Sequence, residues 1–256
     1  MTTFKIRREE TRDGQIALIA HHTVFASKRP VVVMIHGALR HFKVLAHWHS
    51  LLVEEADVVF IELPGHGRST PVHPPSVDSF AVNILQAIQS ALSGRDVVVV
   101  GESLGGLVAL VMAGMSPAPI RAVLAVDPPL TTGKLWHVAA SLLRAIDRDP
   151  DDQYLRSWVS AIFGMSPHGR GDRIYYPVLS GVSIPAHIVT GDLPLLPPRV
   201  VRGIPCVLDR VDRFVIENLY ADQIRFHVIQ DCGHLLLVDQ TGPCLELIRR
   251  IQSGRA

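Results

Sequence analysis

Apolar and polar residues alternate at the start of the chain, on both sides of Asp13-Gly14. Alternation over residues 4–10 and 15–21 predicts a β-hairpin, because strand side chains point to opposite faces in turn and Asp-Gly favours a tight turn. From residue 31 the pattern changes to short, nearly uninterrupted apolar runs separated by stretches of helical periodicity. Such β-branched runs are typical of parallel strands that are buried on both faces.

The predicted parallel strands are Val31–Ile35, Val58–Ile61, Val97–Val100, Val123–Val126, His187–Thr190 and Arg225–Ile229. The predicted helices between and after them cover residues 41–55, 77–92, 104–115, 207–219 and 241–251. The regular alternation of strand and helix predicts a single α/β sheet with helices on both faces.

The alternation is interrupted once, where about 50 residues separate two strands, far more than a usual connection. We interpret 131–183 as an inserted helical cap, with helical spacing at 135–146 and 154–163, and 1–130 with 184–256 as the core domain. The cap is rich in aromatic residues. We expect three of them to line an apolar substrate pocket, although a helical pair packing its own small core is an equally simple explanation: Trp136, Trp158 and Phe163.

Charge and composition narrow the classes of partner. The chain has 25 Lys and Arg residues against 24 Asp and Glu residues, so it has no net positive field for nucleic acid or an anionic membrane surface. No apolar run reaches the roughly 18 to 20 residues that span a bilayer. We expect a small-molecule substrate, no membrane association, a cytoplasmic location, since no secretory signal is recognised at the N-terminus, and possible homodimerisation.

The sequence predicts neither a metal site nor a cofactor. Cys206, Cys232 and Cys244 are an odd number and form no CxxC pair, which argues against a disulfide framework or a zinc knuckle. His47 and His49 flank Trp48, but residues two apart face different directions on a helix. We expect buried or incidental thiols with no catalytic role, although Cys232, two residues before His234, could be sensitive to thiol reagents, and a reaction that needs no metal.

The strongest chemical signal is Gly101-Glu102-Ser103-Leu104-Gly105-Gly106, which follows a predicted strand and opens a predicted helix. A G-x-S-x-G turn in that context is tight enough to strain the serine backbone and to expose its hydroxyl in front of a helix N-terminus. The alternative is a purely structural role, in which Ser103 caps the N-terminus of a glycine-rich helix. We interpret Ser103 as a nucleophile.

A serine nucleophile needs a base, because its hydroxyl is barely ionised at neutral pH. His234 follows the last predicted strand and precedes the last predicted helix, in Asp231-Cys232-Gly233-His234. This loop and the Ser103 turn lie at the carboxyl edge of the sheet, where α/β sheets bind ligands. We therefore predict that His234 is the general base.

With these motifs, the chain resembles the α/β-hydrolase fold over nearly its whole length. The resemblance rests on His36-Gly37 after an early strand, on the Pro64–Ser69 loop (PGHGRS), on the serine turn, and on Gly233-His234. It implies a mostly parallel eight-stranded sheet with one antiparallel strand near the N-terminus, and a cap inserted after the sixth strand. It also implies an oxyanion hole.

Fixed backbone donors stabilise the negative charge that acyl transfer builds on a carbonyl oxygen. By the resemblance, one donor is the amide of Leu104 and the other is the amide of Ala38, with Leu39 as its near neighbour. His36 is expected to pack behind this loop, and His66 is expected to be structural.

The acidic member of the triad is where the sequence departs from the family pattern. The acid commonly follows the seventh strand, often three residues after a glycine, but here that position is Pro194. We predict Asp192, the nearest carboxylate, and keep Asp127 as the alternative because it ends the sixth strand in Val-Asp-Pro-Pro. Asp209, Asp212 and Asp231 are weaker candidates.

These residues predict a serine hydrolase that acts on a small apolar carboxylic ester, thioester or lactone through an acyl-enzyme. The same triad could serve a C–C bond hydrolase or a lyase, and a non-catalytic ligand receptor on this fold is the rival from another class. The Ser103 turn disfavours epoxide and haloalkane chemistry, since those relatives carry aspartate at the nucleophile position.

Overall fold

The fold is an eight-stranded, mostly parallel sheet with helices on both faces. The computed structural model describes residues 4–115, 118–166, 168–193 and 204–256, with the backbone alone at 136 and 137. The strands are β1 (Phe4–Glu10), β2 (Gln15–His21), β3 (Val31–Ile35), β4 (Asp57–Ile61), β5 (Val97–Glu102), β6 (Ile120–Val126), β7 (Met165–Ser166), β8 (Gly169–Arg170), β9 (Ala186–Gly191) and β10 (Ile224–Ile229). The helices are α1 (Trp48–Leu52), α2 (Val77–Ala91), α3 (Leu104–Ala113), α4 (Trp136–Arg148), α5 (Gln153–Phe163), α6 (Pro177–Ser180), α7 (Arg210–Leu219), α8 (Leu236–Asp239) and α9 (Thr241–Gln252).

The strand order in the main sheet is β1-β2-β4-β3-β5-β6-β9-β10. Strand β2 runs antiparallel to both of its neighbours, and every other pairing in the sheet is parallel. The predicted fold class, including the antiparallel strand near the N-terminus, is confirmed. The carboxyl ends of the adjacent strands β5, β6 and β9 therefore lie side by side.

The apolar runs predicted the sheet because its central strands are buried along their whole length. All residues of β3, β4 and β5 are buried, as a strand covered on both faces requires. One core forms between the sheet and α2, α3 and the α4–α5 pair, and a second core forms on the opposite face with α1, α8 and α9.

Two helices begin later than the apolar pattern predicted. The first begins at Trp48 rather than at residue 41, because the chain leaves β3 through a turn with Leu39 at φ 58° and a 3₁₀ helix over Phe42–Val44. Helix α7 begins at Arg210 rather than at residue 207. The amides of Val207 and Leu208 bond to a side chain elsewhere, described below, and Asp209 caps the helix.

The stretch between β6 and β9 contains α4, α5, the β7–β8 ribbon and α6. Buried α5 residues such as Trp158 and Phe163 belong to the same apolar cluster as α2 and α3, so this insertion packs onto the core. The division into core and cap remains a prediction. In the described part of the chain, every helix is too short or too polar to cross a bilayer.

Candidate active site

The turn that carries Ser103 joins β5 to α3 and has strained geometry. Ser103 has φ 53° and ψ −117°, a conformation that non-glycine residues rarely adopt and that marks functional sites. A Cβ at Gly101 would lie 2.2 Å from the carbonyl oxygen of Gly105, and a Cβ at Gly105 would lie 2.5 Å from that of Ile35. Both glycines are therefore required by close backbone approach. The Ser103 amide donates to Val126 O at 2.8 Å, which ties the turn to the end of β6.

The residue after the serine opens helix α3. The amides of the first turn of a helix have no intrahelical acceptor, and the helix dipole places partial positive charge there. Among the described residues, the Leu104 amide has no hydrogen-bond acceptor. It is therefore in place to bind developing negative charge next to the Ser103 hydroxyl.

The loop after β3 presents a second amide through the geometry of one peptide. The Leu63 amide donates to His36 Nε2, so His36 carries its proton on Nδ1 and donates it to Gly37 O at 2.8 Å. Since C=O and N–H point in opposite directions across a trans peptide, holding this carbonyl turns the Ala38 N–H the other way. Burial, followed by the charge of His66, lowers the pKa of His36 to about 3, so its ring stays neutral.

The next amide in this loop, that of Leu39, already has a hydrogen-bond acceptor. Leu39 N–H donates to His66 Nε2 at 3.3 Å, and His66 in turn donates from Nδ1 to Pro64 O. Between the two candidate donors of this loop, Ala38 is therefore the one left to face a ligand. The ring of Trp158 in the insertion packs 5.2 Å from the His66 ring, so the insertion contacts the group that fixes this loop.

His234 is paired with Asp127. Its Nδ1 lies 2.6 Å from Asp127 Oδ2, and its backbone amide donates to Ile204 O at 2.8 Å. Asp127 directly follows β6, is fully buried and has φ 46°. This strained residue places its carboxylate behind the imidazole, so that Nε2, the other ring nitrogen, is left for a proton transfer.

Every lone-pair direction of the Asp127 carboxylate is used by a neighbour from another segment. Thr190 Oγ1 in β9 donates to Oδ1 at 2.8 Å, while the amides of Val207 and Leu208 donate to Oδ2 and Oδ1 at 2.7 and 3.1 Å. These donors satisfy the hydrogen-bonding capacity of a carboxylate that has no access to solvent. They also fix its orientation toward His234.

The environment of His234 favours its protonated form. Burial is the largest influence and lowers the pKa, but the hydrogen bond from His234 to Asp127, the charge of Asp127 and the charge of Glu102 together outweigh burial. The net effect raises the pKa of His234 above its ordinary value. A raised pKa makes the ring a stronger proton acceptor.

The prediction that Asp192 is the partner of His234 is wrong, and the alternative, Asp127, takes its place. Asp192 Oδ1 instead accepts a hydrogen bond from the Cys232 amide at 3.3 Å. Among the weaker candidates, Asp209 caps α7 and shares a capping box with Asp212. The acid directly after β6 was visible in the sequence, but the amides at 207 and 208 that hold it lay inside a predicted helix.

Sequence reasoning also missed a buried ion pair beside Ser103. Arg40 Nη1 lies 2.7 Å from both carboxylate oxygens of Glu102, whose side chain is fully buried. The pair joins the residue next to Ser103 to the loop that carries Ala38. Breaking the pair would leave an uncompensated buried charge, so it ties the loop after β3 to the Ser103 turn.

A cavity of about 580 Å³ lies between this loop and the insertion. Trp158 lines it from α5, together with Leu39 and Arg40 of the loop, but Lys43 and Arg68 line it as well. Its walls are thus more polar than the predicted apolar pocket. Phe163 packs edge-on behind Trp158 at 6.2 Å, and the side chain of Trp136 lies outside the described part of the chain.

Three buried cysteines are unpaired. Burial raises the pKa of Cys232 to about 11 and of Cys244 to about 12, and it raises that of Cys206 as well, so all three are neutral thiols at pH 7. Within the described residues, no group of three or more His, Cys, Asp or Glu side chains is arranged to hold a metal ion.

Sequence comparison finds relatives with hydrolase names. Lipase LipV of Mycobacterium tuberculosis is 28% identical over 233 residues, which cover 80% of this chain and 86% of the lipase. A pimeloyl-[acyl-carrier protein] methyl ester esterase of Chromobacterium violaceum is 36% identical over 109 residues, or 42% of this chain and 41% of the esterase.

Structural comparison supports the fold. The crystal structure of naproxen esterase (carboxylesterase NP) from Bacillus subtilis superposes with a TM-score of 0.70 at 16% identity, covering 98% of this chain and 92% of the esterase. Residues 32–246 match the alpha/beta hydrolase family, and this range includes β4, β5, β6, β9 and β10 of the main sheet, the Ser103 turn and His234. This chain belongs to the alpha/beta hydrolase family.

Proposed function

We propose that the protein is a serine hydrolase of carboxylic esters, thioesters or lactones, with Ser103, His234 and Asp127 as its triad. The observation that carries the proposal is the buried 2.6 Å contact between His234 Nδ1 and Asp127 Oδ2. Asp127 directly follows β6, and the strained Ser103 directly follows the adjacent strand β5. A fixed imidazole backed by a carboxylate is the base that a serine nucleophile needs.

The mechanism has two acyl transfers. Ser103 Oγ attacks the carbonyl carbon while His234 Nε2 takes its proton, and the amides of Ala38 and Leu104 bind the oxyanion. The tetrahedral intermediate expels the alcohol or thiol, which receives the proton from His234. Water then attacks the acyl-enzyme with His234 as base, and the carboxylic acid leaves as Ser103 regains its proton.

The substrate class follows from the chemistry and the cavity. An acyl group reaches Ser103 from the carboxyl edge of the sheet, and the 580 Å³ cavity beside Leu39 and Arg40 is in the range that holds a small ligand. The names of the relatives, a lipase and methyl ester esterases, support ester hydrolysis. Trp158 supplies apolar surface, and the charged residues of the cavity favour a substrate that also carries polar groups.

The test is hydrolysis of a chain-length series of p-nitrophenyl esters by the wild type and by Ser103→Ala, Asp127→Asn and Asp192→Asn. We expect turnover to vanish in the Ser103 variant. It should fall on the order of 10³-fold or more in the Asp127 variant, as when the triad acid of a serine protease is neutralised. The Asp192 variant is the matched control, since it neutralises a neighbouring carboxylate that does not contact His234.

Labelling with a fluorophosphonate completes the test. The wild type should gain the mass of one phosphonyl adduct on Ser103, and Ser103→Ala should gain none. A wild type that binds apolar ligands but neither turns over any ester nor reacts with the phosphonate would contradict the proposal and favour a receptor. A large loss in Asp192→Asn together with a normal Asp127→Asn would overturn the assignment of the acid.

A further inference from the structure

Three consecutive amides before helix α7 are held by two buried carboxylates. The amides of Val207 and Leu208 donate to Asp127, and the next amide, that of Asp209, donates to Asp212 Oδ2 at 2.7 Å. Asp212 is fully buried, as is Asp127. The position of the donors to Asp127 is therefore linked, one residue later, to whatever holds Asp212.

Asp212 is held by two side chains from the insertion. Lys134 Nζ forms an ion pair with Asp212 and lies 3.1 Å from Asp209 Oδ2, and the Tyr176 hydroxyl donates to Asp212 Oδ1. Burial and the hydrogen bond to Asp212 raise the pKa of Tyr176, so its hydroxyl keeps the proton that it donates. A buried carboxylate with these partners has one well-defined position.

Lys134 and Tyr176 stand at opposite ends of the insertion. Lys134 lies two residues before α4, and Tyr176 directly precedes α6, at the return of the chain to β9. Both ends of the insertion thus contact the N-terminus of α7. We call Lys134, Tyr176, Asp209 and Asp212 the stem cluster.

We propose that Lys134 and Tyr176 are positioning residues for catalysis: through Asp212 they fix the Val207 and Leu208 amides, and through these the acid Asp127. The inference rests on the proposed function, because it assigns the stem cluster a role in the orientation of His234. By this inference the insertion helps to hold Asp127 in place, in addition to lining the cavity.

This arrangement predicts that loss of the stem cluster lowers the catalytic rate in addition to any change in the stability of the fold. If the amides at 207 and 208 shift, Asp127 loses two of its donors and rotates away from His234, whose burial then dominates and lowers its pKa. The 580 Å³ cavity described above is lined by Trp158 and by Leu39 and Arg40, and not by any residue of the stem cluster. Loss of the cluster should therefore reduce kcat and leave KM nearly unchanged.

The first experiment compares Tyr176→Phe with Tyr220→Phe. Both variants remove one phenolic hydroxyl, but in the described chain no side-chain hydrogen bond is recorded for Tyr220, at the end of α7. We expect kcat on p-nitrophenyl esters to fall about five- to tenfold in Tyr176→Phe, the kinetic equivalent of one lost hydrogen bond. The acidic limb of the kcat/KM profile should move to lower pH. Tyr220→Phe should match the wild type in both.

A double-mutant cycle separates positioning from general destabilisation. In an Asp127→Asn background, Tyr176→Phe should have no further effect on kcat, since residues that act through one group are not additive. Lys134→Met, measured in the same way, should behave alike. Equal fold-losses in both backgrounds, with an unchanged pH profile, would show a merely structural role and overturn the inference.

Proton NMR tests the inference without a substrate. The His234 Nδ1 proton, held against Asp127, should give a far-downfield resonance that Asp127→Asn abolishes. Tyr176→Phe should shift or broaden this signal, and Tyr220→Phe should leave it in place. If the signal responds in this way but the wild type hydrolyses no ester, the proposed function fails and the positioning survives. An unperturbed signal in a folded Tyr176→Phe variant refutes the positioning.

Discussion

The two halves of the candidate site are built in different ways. The Ser103 turn is encoded by six consecutive residues, and its amide donor at Leu104 follows from the start of α3. The pair of His234 and Asp127 is assembled from β6, β9, the segment before α7 and the loop after β10. The position of Ser103, the proposed nucleophile, thus depends on local backbone geometry. The positions of His234 and Asp127, the proposed base and acid, depend on side-chain and amide contacts between distant segments.

Gly105→Ala tests the local half and should have the largest effect. The added Cβ would meet the backbone oxygens of Ile35 and His36 at 2.5 and 2.7 Å, and neither can move without disturbing β3. We expect a loss of about 1–3 kcal/mol or more in the free energy of unfolding, measured by urea denaturation, and loss of activity. Gly242→Ala, where an added Cβ has no neighbour within 4 Å, is the control and should change stability little. Equal behaviour of the two variants would mean that the turn tolerates a side chain at residue 105 and that the position of Ser103 does not depend on this close backbone approach.

Thr190→Val tests the assembled half with a smaller change. The substitution keeps the shape of the side chain but removes the hydroxyl that donates to Asp127 Oδ1 at 2.8 Å. We expect kcat for ester hydrolysis to fall about fivefold, with about 1–2 kcal/mol lost in unfolding free energy, because one lone pair of a buried carboxylate is left unsatisfied. Thr241→Val, whose hydroxyl donates to the backbone of Val238, is the control. A kcat identical to that of the wild type would show that the amides alone orient the acid.

The pH dependence of activity should show the smallest effect, but it reports the contact between His234 and Asp127 most directly. In the proposed mechanism His234 acts as a base in its neutral form, and Asp127 raises the pKa of His234. Activity should therefore be lost as the pH falls through a value above the ordinary histidine pKa of about 6.5. In Thr190→Val the acidic limb should move to lower pH as the contact loosens, and in Gly242→Ala it should stay where it is. Profiles of kcat/KM from pH 5 to 9 measure the shift; a wild-type limb below the ordinary value would contradict the role of Asp127.

The same contrast explains which parts of the molecule the sequence predicted. The sheet and the Ser103 turn were predictable, because apolar runs and glycine spacing record burial and close backbone approach locally. The partner of His234 was not, because Asp127 and Asp192 both follow strands at the same edge of the sheet. What selects Asp127 is the Thr190 hydroxyl and the amides at 207 and 208, which only the folded chain brings together.

The late start of α7 has the same cause. Apolar periodicity extended the predicted helix back to Val207, but the amides of Val207 and Leu208 were already bound to Asp127, and Asp209 was bound within the capping box. Local propensity thus predicted that the helix exists, and the hydrogen bonds that the buried Asp127 carboxylate accepts from residues 207 and 208 determine where it begins.

Alkylation of the three buried cysteines can report local opening of the native structure. Alkylating reagents attack thiolates, and Cys206, Cys232 and Cys244 are both covered and held neutral in the native structure. Modification of any of them therefore requires the surrounding structure to separate first. Cys206 directly precedes the donors of Asp127, while Cys244 lies in α9, in the core that α1, α8 and α9 form with the sheet. Peptide-resolved alkylation rates therefore report the opening of these two regions separately, without any engineered label.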